Sequence, residues 1–497
     1  MTNNPNRSVE TTNMVTRLLD LPDHVLSTIV AAHLDDCGGR DPDLGGGVYA
    51  SCKDVRRPFL DAITKVSWKK ETRCGRDDMA FVAEKCKNVT TVDIRGGRFL
   101  DVGHLSALAG RLTTFRCETS MVNVGHLSAL TGLVTLDVSC CPDDHFTLRH
   151  LSALTCLRTL DIGATKVVDV GPLAALTGLR TLDMRCTRVA DVGPLSVLTC
   201  LRTLDISATK VGPLAALTGL NTLDVSCTDV TDIERLSGLT ALQTLRMSHS
   251  RVCSVGPLAA TTGLVTLVMR DCTKVTDIGH LSALTGLRTL HMGSIGFVDV
   301  EPLTSLTAME TLDVSFDYCL SDVRPLSTLT GLRTLIMRGC TRVADIGALS
   351  TLKSLKKLFM SGCTYVADIG ALSTLTGLRK LDISSTMVTD LGCLSTLTEL
   401  EVLDVSYDNV TDIGPLSALT RLRTLITIGC TGLVDVRPLV ALESLRKLYM
   451  HACINVVDIG PLSTLTGLQV VGGHAPYPPA GGVPPVASRP RTPCGSV

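Results

Sequence analysis

Aliphatic residues return along this chain in short pulses that follow one fixed order of apolar and polar positions. The unit reads L-R-T-L-D-(I/V)-S-x-T-x-V-x-D-(I/V)-G-P-L-S-x-L-T-G and recurs roughly every 22–23 residues. Well-formed copies begin at Leu157, Leu179, Leu201, Leu220, Leu242, Leu264, Leu287, Met309, Leu332, Leu355, Leu378, Leu400, Leu422 and Leu445, weaker ones at Val89, Leu112 and Leu133, and a truncated one at Leu468. Such a period predicts one small structural unit stacked many times, because a single unit cannot bury its own leucines.

Each unit predicts a short strand followed by an irregular return. The apolar positions of L-x-x-L-x-(I/V/M) alternate, so Leu160 and Ile162 share one face of a strand. The Gly-Pro pair that follows removes one backbone donor and favours an arc or a single turn of 3₁₀ helix. Stacked strands would pair in parallel, and the leucines of successive units would form one continuous core.

The pattern over residues 88–471 resembles the leucine-rich-repeat family. The short unit with its D-(I/V)-G-P-L return is similar to the class shared by bacterial internalins and a phosphatase regulatory subunit. The resemblance implies an α/β solenoid, a horseshoe with a parallel inner sheet and short irregular or 3₁₀ returns.

One position departs from that family. Its repeats usually carry asparagine two residues before the valine of x-V-x-D; we call this position the slot. Here the slot holds threonine in shorter units and, one residue further from the valine, cysteine in longer ones: Thr165, Thr187, Thr209, Thr228 and Thr386, and Cys272, Cys340, Cys363, Cys430 and Cys453. Both side chains are small and can form local hydrogen bonds. The cysteine form resembles the repeats of many F-box proteins. A metal ladder is the alternative, but one cysteine per turn forms a row and not the tetrahedral cluster that zinc requires.

A column of aspartates precedes the (I/V/L)-G of most returns, or a near variant of it, as Asp169 and Asp191 do. An aspartate at this point most simply caps the following turn by accepting hydrogen bonds from its free N–H groups. The calcium-binding nonapeptide pattern G-G-x-G-x-D, which would favour a metal site instead, is not in the sequence.

The N-terminal residues lack the repeat and predict a helical segment over 16–87 behind a flexible stretch, 1–15. Proline at a helix entry is followed by an apolar stripe at helical spacing. The segment L-P-D-H-V-L-S-T-I and the later segment V-Y-A-S-C-K-D-V-R-R together resemble an F-box. Two features depart from that family: the loop between the segments is long and rich in glycine, and Val55 stands where the family often has tryptophan. The resemblance implies docking to the adaptor subunit of a cullin-RING ubiquitin ligase through Leu21, Pro22, Val25, Leu26 and Ile29. The alternative is a plain helical cap of the solenoid.

Composition narrows the classes of partner. Lys+Arg 47 against Asp+Glu 48, with 3% aromatic residues, argues against nucleic acid or an anionic membrane as the partner. We find no signal peptide and no apolar run of membrane-spanning length, and therefore expect a cytoplasmic or nuclear protein with reduced cysteines, a monomer by itself. The residues over 472–497 are rich in proline and glycine and predict a disordered tail.

A ligand would contact the strand residues that alternate with the buried leucines, on the concave wall. Reading the residue after the second leucine of each unit gives an early acidic stripe, which includes Asp161, Asp183 and Asp205, and a later patch with Ile336, Phe359, Ile426 and Tyr449, bordered by Tyr407. Aromatic residues on one wall suggest an anchor site for a protein partner, although strands favour aromatics in any case. The aspartates either bind a basic partner segment or are neutralised by Arg158, Arg180 and Arg202.

These patterns predict a protein-binding function without catalysis or cofactor. None of the motifs G-x-x-x-x-G-K-(S/T), H-E-x-x-H, C-x-x-C and G-x-S-x-G occurs in the chain. Our first hypothesis is the substrate-recruiting subunit of an SCF-type cullin-RING ligase, with the N-terminal helices bound to the adaptor and the repeat wall bound to a substrate protein. The second is a scaffold or regulatory subunit, for instance of a phosphatase, whose N-terminus is only a cap.

Overall fold

A computed structural model of the protein describes residues 64–68, 82, 86–94, 100–118, 121–122, 124–141, 147–210, 217–296 and 299–472. The adaptor-docking residues expected between Leu21 and Ile29, the stretch 1–15 and the tail beyond Gly472 lie outside the described residues. The chain divides into two compact units, Met1–Met337 and Arg338–Val497.

The first unit is built on a parallel sheet to which successive repeats contribute one strand each. Its strands are β1 (Lys65–Trp68), β2 (Thr91–Ile94), β3 (Leu100–Asp101), β4 (Thr114–Cys117), β5 (Met121–Val122), β6 (Thr135–Asp137), β7 (Thr159–Asp161), β8 (Thr181–Asp183), β9 (Thr203–Asp205), β10 (Thr222–Asp224), β11 (Thr244–Arg246), β12 (Thr266–Val268), β13 (Thr289–His291), β14 (Thr311–Asp313) and β15 (Thr334–Ile336). Strands β3 and β5 form a separate parallel pair, and the others follow one another in the main sheet.

Short 3₁₀ helices close the repeats of the first unit, as the Gly-Pro returns predict. They are η1 (Val102–Leu108), η2 (Val124–Ala129), η3 (Leu148–Leu151), η4 (Gly171–Ala175), η5 (Gly193–Val197), η6 (Glu234–Gly238), η7 (Gly256–Ala260), η8 (Gly279–Ala283), η9 (Glu301–Ser305) and η10 (Arg324–Thr328).

The second unit repeats the same plan. Its parallel strands are β16 (Lys357–Phe359), β17 (Lys380–Asp382), β18 (Val402–Asp404), β19 (Thr424–Ile426), β20 (Lys447–Tyr449) and β21 (Gln469–Val471). Its 3₁₀ helices are η11 (Gly347–Thr351), η12 (Gly370–Thr374), η13 (Gly392–Thr396), η14 (Gly414–Ala418), η15 (Arg437–Ala441) and η16 (Gly460–Thr464). No helix in the described part of the chain is both long enough and apolar enough to cross a membrane.

The repeated leucines form the core of each unit, as the alternation predicts. Leu160, Leu182 and Leu204 lie side by side in register and are fully buried. Thr261, which stands where other repeats carry leucine, is also fully buried; its hydroxyl donates to the carbonyl of Leu258 at 2.7 Å. The buried hydroxyl therefore has a partner and avoids the cost of an unsatisfied polar group.

The sheet begins earlier than the repeat suggests. Lys65–Trp68 lies inside the segment expected to be helical, yet it forms β1 and pairs in register with β2. Val66 is buried at the position that leucine holds in later repeats. The helical prediction is corrected at these four residues, because pairing with β2 outweighs the weak local pattern.

The predicted turn-capping role of the aspartate column is confirmed. Oδ1 of Asp169 accepts a hydrogen bond from the N–H of Gly171, the first residue of η4, at 2.8 Å. Oδ1 of Asp412 does the same for Gly414 at 2.7 Å. In the part of the chain that the structure describes, no three His, Cys, Asp or Glu side chains are grouped to hold a metal ion.

Threonine and cysteine fill the slot in different ways. The Thr165 hydroxyl donates to the carbonyl of Ile162, inside its own turn, at 2.6 Å. The Cys272 thiol reaches the carbonyl of Met247, in the preceding turn, at 3.0 Å, and the Cys430 thiol likewise reaches Val405 at 3.1 Å. The expectation of local bonding therefore holds for threonine, whereas these buried thiols bond the neighbouring turn, as asparagine is expected to do.

From β6 to β21, a left-handed residue follows each strand and turns the chain out of the sheet. Among such residues in the first unit, Ala164 has φ 54°, and in the second Gly362 has φ 74°. The left-handed conformation costs a residue with a Cβ about 1–2 kcal/mol, and glycine avoids this cost.

Replacing Ala164 with glycine is expected to raise the free energy of unfolding by roughly 0.5–1 kcal/mol, since relief of backbone strain exceeds the larger entropy of the unfolded glycine chain. Ala283→Gly is the matched control, because Ala283 lies in a 3₁₀ helix and should lose stability. Urea denaturation of the two variants checks this; a loss of stability in Ala164→Gly would contradict it.

Candidate functional site

Five carboxylates form a continuous row on the open face of the first unit. The residues Asp137, Asp161, Asp183, Asp205 and Asp224 occupy the same register position of β6, β7, β8, β9 and β10. Neighbouring strands of a sheet are about 4.8 Å apart, so each carboxylate has the next one close beside it. We call these five residues the acidic ladder; it contains the three aspartates named from the sequence.

Backbone hydrogen bonds fix the orientation of the ladder side chains. Oδ1 of Asp161 accepts from the N–H of Gly163 at 2.8 Å, and Oδ1 of Asp205 accepts from the N–H and the hydroxyl of Ser207 at 2.9 and 2.6 Å. The same bond from the residue two positions later recurs along the ladder. These bonds use Oδ1, so the second carboxylate oxygen is not the one that the backbone holds.

Ionisation is disfavoured at two members of the ladder, Asp161 and Asp183. Burial raises the pKa of Asp161 to about 6, and the neighbouring charges of Asp183 and Asp137 add to the rise. The hydrogen bond from Gly163 opposes it. Burial likewise raises the pKa of Asp183. A cation brought to this row would relieve the repulsion, since an opposite charge favours the ionised form.

The nearby cation is not one of those expected from the sequence. Arg185 Nε lies 3.4 Å from Oδ2 of Asp183 and opposes the rise in its pKa. The guanidinium of Arg202 instead donates to the carbonyls of Thr199 and Gly219, at 3.0 and 3.1 Å. The expected neutralisation by the arginine three residues before each aspartate is thus corrected at Arg202. Arg185 could have been found in the sequence, because it stands two residues after Asp183 on the same face.

The face of the first unit changes character beyond the ladder. Asp313 is fully buried; it pairs with Arg270, and its Oδ2 lies 3.3 Å from Nδ1 of His291. Burial and the charges of Arg270 and Arg246 lower the pKa of His291. Ile336, one of the predicted anchors, is half-buried and lies in register with Asp313, so its neighbour within this unit is charged.

The predicted anchors of the second unit do not form one continuous apolar patch. From β16 to β20 the row reads Phe359, Asp382, Asp404, Ile426 and Tyr449, in register. Two aspartates therefore separate Phe359 from Ile426. Alternation within each strand puts these residues on the open face but does not group the apolar ones.

Phe359 has a cation above its ring. The guanidinium carbon of Arg338 lies 4.9 Å from the ring centre, and Nη2 of Arg338 donates to Oδ2 of Asp382 at 3.1 Å. This stacking orders the ring and leaves it half-buried.

On the strand face of the second unit, neighbouring apolar side chains occur on β19, β20 and β21, whereas the most exposed apolar residues of this unit, such as Ile454 and Val457, lie outside the strands. Ile426, Tyr449 and Val471 lie in register and are half-buried, and Ile428 lies two residues after Ile426. We call these four residues the apolar patch. The sequence reasoning missed Ile428, which lies outside the single column that it followed, and Val471, which extends that column by one strand beyond Tyr449.

Tyr407 lies on the turn that follows β18. Its φ is 58° and 64% of its surface is exposed. Its ring packs beside Gly429 of the next turn, where an added Cβ would come within 2.5 Å of the ring. Tyr407 therefore flanks the strand that carries Ile426, as the sequence suggested, but does so from the turn.

Comparisons with solved structures identify the fold. The chain is similar to an internalin, inlF, from Listeria monocytogenes (23% identity over 67% of this chain and 90% of that one, TM-score 0.52). It is similar to the functional domain of InlJ from the same organism, which includes a cysteine ladder (20%, 65% and 69%, TM-score 0.54). A Leptospira interrogans leucine-rich-repeat protein, LIC12759, matches 86% of this chain and 98% of its own length at 14% identity and TM-score 0.56. No protein-family model and no curated protein sequence matches the chain. At these identities the likeness shows the leucine-rich-repeat fold alone.

Proposed function

We propose that this leucine-rich-repeat chain is a protein-binding module that holds its partner on the open strand faces and catalyses no reaction. The observation that carries the proposal is the set of ordered, half-buried side chains on those faces. Backbone hydrogen bonds hold the side chains of the acidic ladder. The aliphatic and aromatic side chains of the apolar patch are half-buried, so part of their surface remains open to a partner. Pre-ordered side chains of this kind bind with a small entropic penalty.

The two faces differ in the chemistry they offer. Carboxylates with raised pKa values favour a basic segment of a partner. The apolar patch, together with Phe359, favours an apolar anchor, since aromatic residues in partly desolvated surfaces carry much of the energy of binding.

Replacing Phe359 and Tyr449 together with alanine is expected to weaken partner binding about tenfold or more while lowering the melting temperature only slightly, because both rings are half-exposed. Isothermal titration calorimetry with a partner protein captured by the full chain measures the change in affinity, and thermal unfolding measures the change in melting temperature. The matched control is Ser463→Ala in η16, an exposed residue off the strand face. Unchanged affinity in the double variant would exclude these residues as anchors.

A finer proposal concerns the biological role. The F-box-like sequence from Leu21 to Ile29 supports a role as the substrate-recruiting subunit of an SCF-type cullin-RING ligase. In this role the N-terminal segment binds the ligase adaptor and the strand faces bind a substrate protein. The slot cysteines, similar to those of F-box proteins, support the same role.

Co-purification of the full chain with the adaptor subunit tests this finer role. Val25→Asp is expected to abolish retention of the adaptor, because it places a charge in the apolar stripe. Ser27→Asp adds the same charge at a polar position of the motif and should leave retention intact. If the wild-type chain retains no adaptor, the scaffold or regulatory-subunit alternative replaces the ligase role.

A further inference from the structure

A column of exposed lysines marks the face of the second unit. The column is the first residue of each three-residue strand, two residues before the one that follows the second leucine. Every strand of the first unit from β6 to β15 carries threonine there, whereas β16, β17 and β20 carry Lys357, Lys380 and Lys447. The three ammonium groups are exposed, and none belongs to an ion pair among the described residues. The face of this unit therefore presents three lysines outside ion pairs, beside the aspartates of β17 and β18.

Two of these lysines stand beside an aromatic ring. β16 reads K-L-F and β20 reads K-L-Y, so Lys357 and Phe359 share one face, and Lys447 and Tyr449 share the equivalent face four strands away. Four strand spacings of about 4.8 Å place the two pairs about 19 Å apart. Lys380, in register with Lys357, adds a second cation at the first pair.

The surface between the two pairs carries both signs of charge, with Asp382 and Asp404 beside Arg338 and Lys380. Nη2 of Arg338 lies 3.1 Å from Oδ2 of Asp382. Burial raises the pKa of Asp404, and repulsion from Asp382 adds to the rise, whereas the hydrogen bonds from Ser406 oppose it. An anion beside Asp404 would be repelled, whereas anions beside Lys357 and Lys447 would be attracted. A uniformly charged nucleic-acid backbone fits this arrangement poorly.

We propose that the face of the second unit binds an extended acidic peptide of a partner protein, lying across β16–β20. The peptide carries a Glu-Leu or similar acidic–apolar pair at each end, with uncharged residues between. An extended chain spans at most about 3.3–3.6 Å per residue, so 19 Å corresponds to about six residues. The acidic side chains reach Lys357 and Lys447, and the apolar ones reach Phe359 and Tyr449. This inference rests on the proposed protein-binding function and specifies its ligand.

The probe is the fluorescein-labelled peptide ELSSSSEL, whose two Glu-Leu pairs repeat after six residues, and the readout is fluorescence anisotropy with the full chain at low salt. We expect ELSSSSEL to bind several-fold more tightly than ELSEL, in which the pairs are three residues apart. Lys447→Glu should weaken binding about tenfold, and the peptide ELSSSSKL should recover affinity for that variant alone. Lys353→Glu is the matched control, because it makes the same charge change at an exposed lysine whose Nζ donates to the Thr374 carbonyl at 3.4 Å.

Equal binding of the two spacings, an equal loss in Lys353→Glu, or absence of rescue would overturn the proposal. Tighter binding of an eight-nucleotide oligothymidine than of ELSSSSEL would replace the peptide with nucleic acid. If no peptide binds but Phe359→Ala with Tyr449→Ala still releases the captured partner, only the acidic-peptide inference fails and the protein-binding function stands.

Discussion

Replacing Leu290 with alanine is expected to lower the free energy of unfolding by about 2–5 kcal/mol. Leu290 is fully buried on β13 and lies in register between Leu267 and Leu312. The cavity would open between stacked turns, whose backbones are tied by sheet hydrogen bonds and cannot collapse around it. Because each repeat is stabilised mainly by its neighbours, the loss should weaken both adjoining turns.

Urea denaturation followed by circular dichroism measures this change. Thr289→Ala is the matched control on the same strand: Thr289 is half-exposed and should change stability by less than about 0.5 kcal/mol. A loss below about 1 kcal/mol in Leu290→Ala would show that the leucine column does not carry the stability of the stack.

The second large effect is expected at Asp408, which occupies the slot that threonine or cysteine fills in most other repeats. Its side chain is 2% exposed, and Oδ1 accepts from the N–H and the hydroxyl of Thr386 at 2.7 and 3.1 Å. Oδ2 accepts no hydrogen bond from the described residues. Burial is the main cause that raises the pKa of this carboxyl to about 7; Asp404 and Asp382 add to it, and the Thr386 bonds oppose it.

The raised pKa makes stability depend on pH. The unfolded chain loses the Asp408 proton near pH 4, whereas the folded chain keeps it until about pH 7. The contribution of this group to stability is therefore present below about pH 4 and is lost as the pH rises through about 7.

Asp408→Asn is expected to raise the free energy of unfolding at pH 8 by roughly 2–4 kcal/mol and to leave it little changed at pH 4. The amide keeps an acceptor for Thr386 and removes the buried charge. Urea denaturation at pH 4, 6 and 8 measures the difference. Asp412→Asn, at an exposed aspartate of the same repeat, is the control; a parallel pH dependence of Asp408→Asn and the wild type would show that Asp408 ionises freely.

The repeat predicts the stack well because its determinants are local and occur many times. The alternation around Leu160 predicts a strand with one buried face, and the Gly-Pro pair predicts the 3₁₀ return that follows at Gly171–Ala175. The cap at Asp169 follows from the same local chemistry. Each feature depends on residues only a few positions apart, so a single copy of the unit is sufficient to derive it.

The features that escaped prediction depend on neighbours in space. β1 lacks the repeat and is a strand because β2 pairs with it. The orientation of Arg202 toward backbone carbonyls and the position of Arg185 beside Asp183 depend on side-chain geometry. Asp408 occupies the asparagine slot of the family, but its sequence position does not show that one carboxylate oxygen would be buried without a partner.

The sequence predicted which column of residues lies on the open face, but not how the apolar members of that column are grouped. The column after the second leucine does lie on the open face, since Asp161 and Tyr449 are both half-buried there. The grouping differs because strand order places Asp382 and Asp404 between Phe359 and Ile426. Pairing of β20 with β21 places Val471 beside Tyr449, where the column read from the sequence had ended.

The most direct test of the central claim is site-directed photo-crosslinking of the full chain to its captured partner. A benzophenone amino acid replaces Tyr449 on the open face of the second unit, Asp183 on that of the first, or Ser463 on the 3₁₀ return. If the strand faces hold the partner, crosslinks form from position 449, from position 183 or from both, and none forms from position 463. Crosslinks from position 463 alone would place the partner on the outer surface and contradict the account.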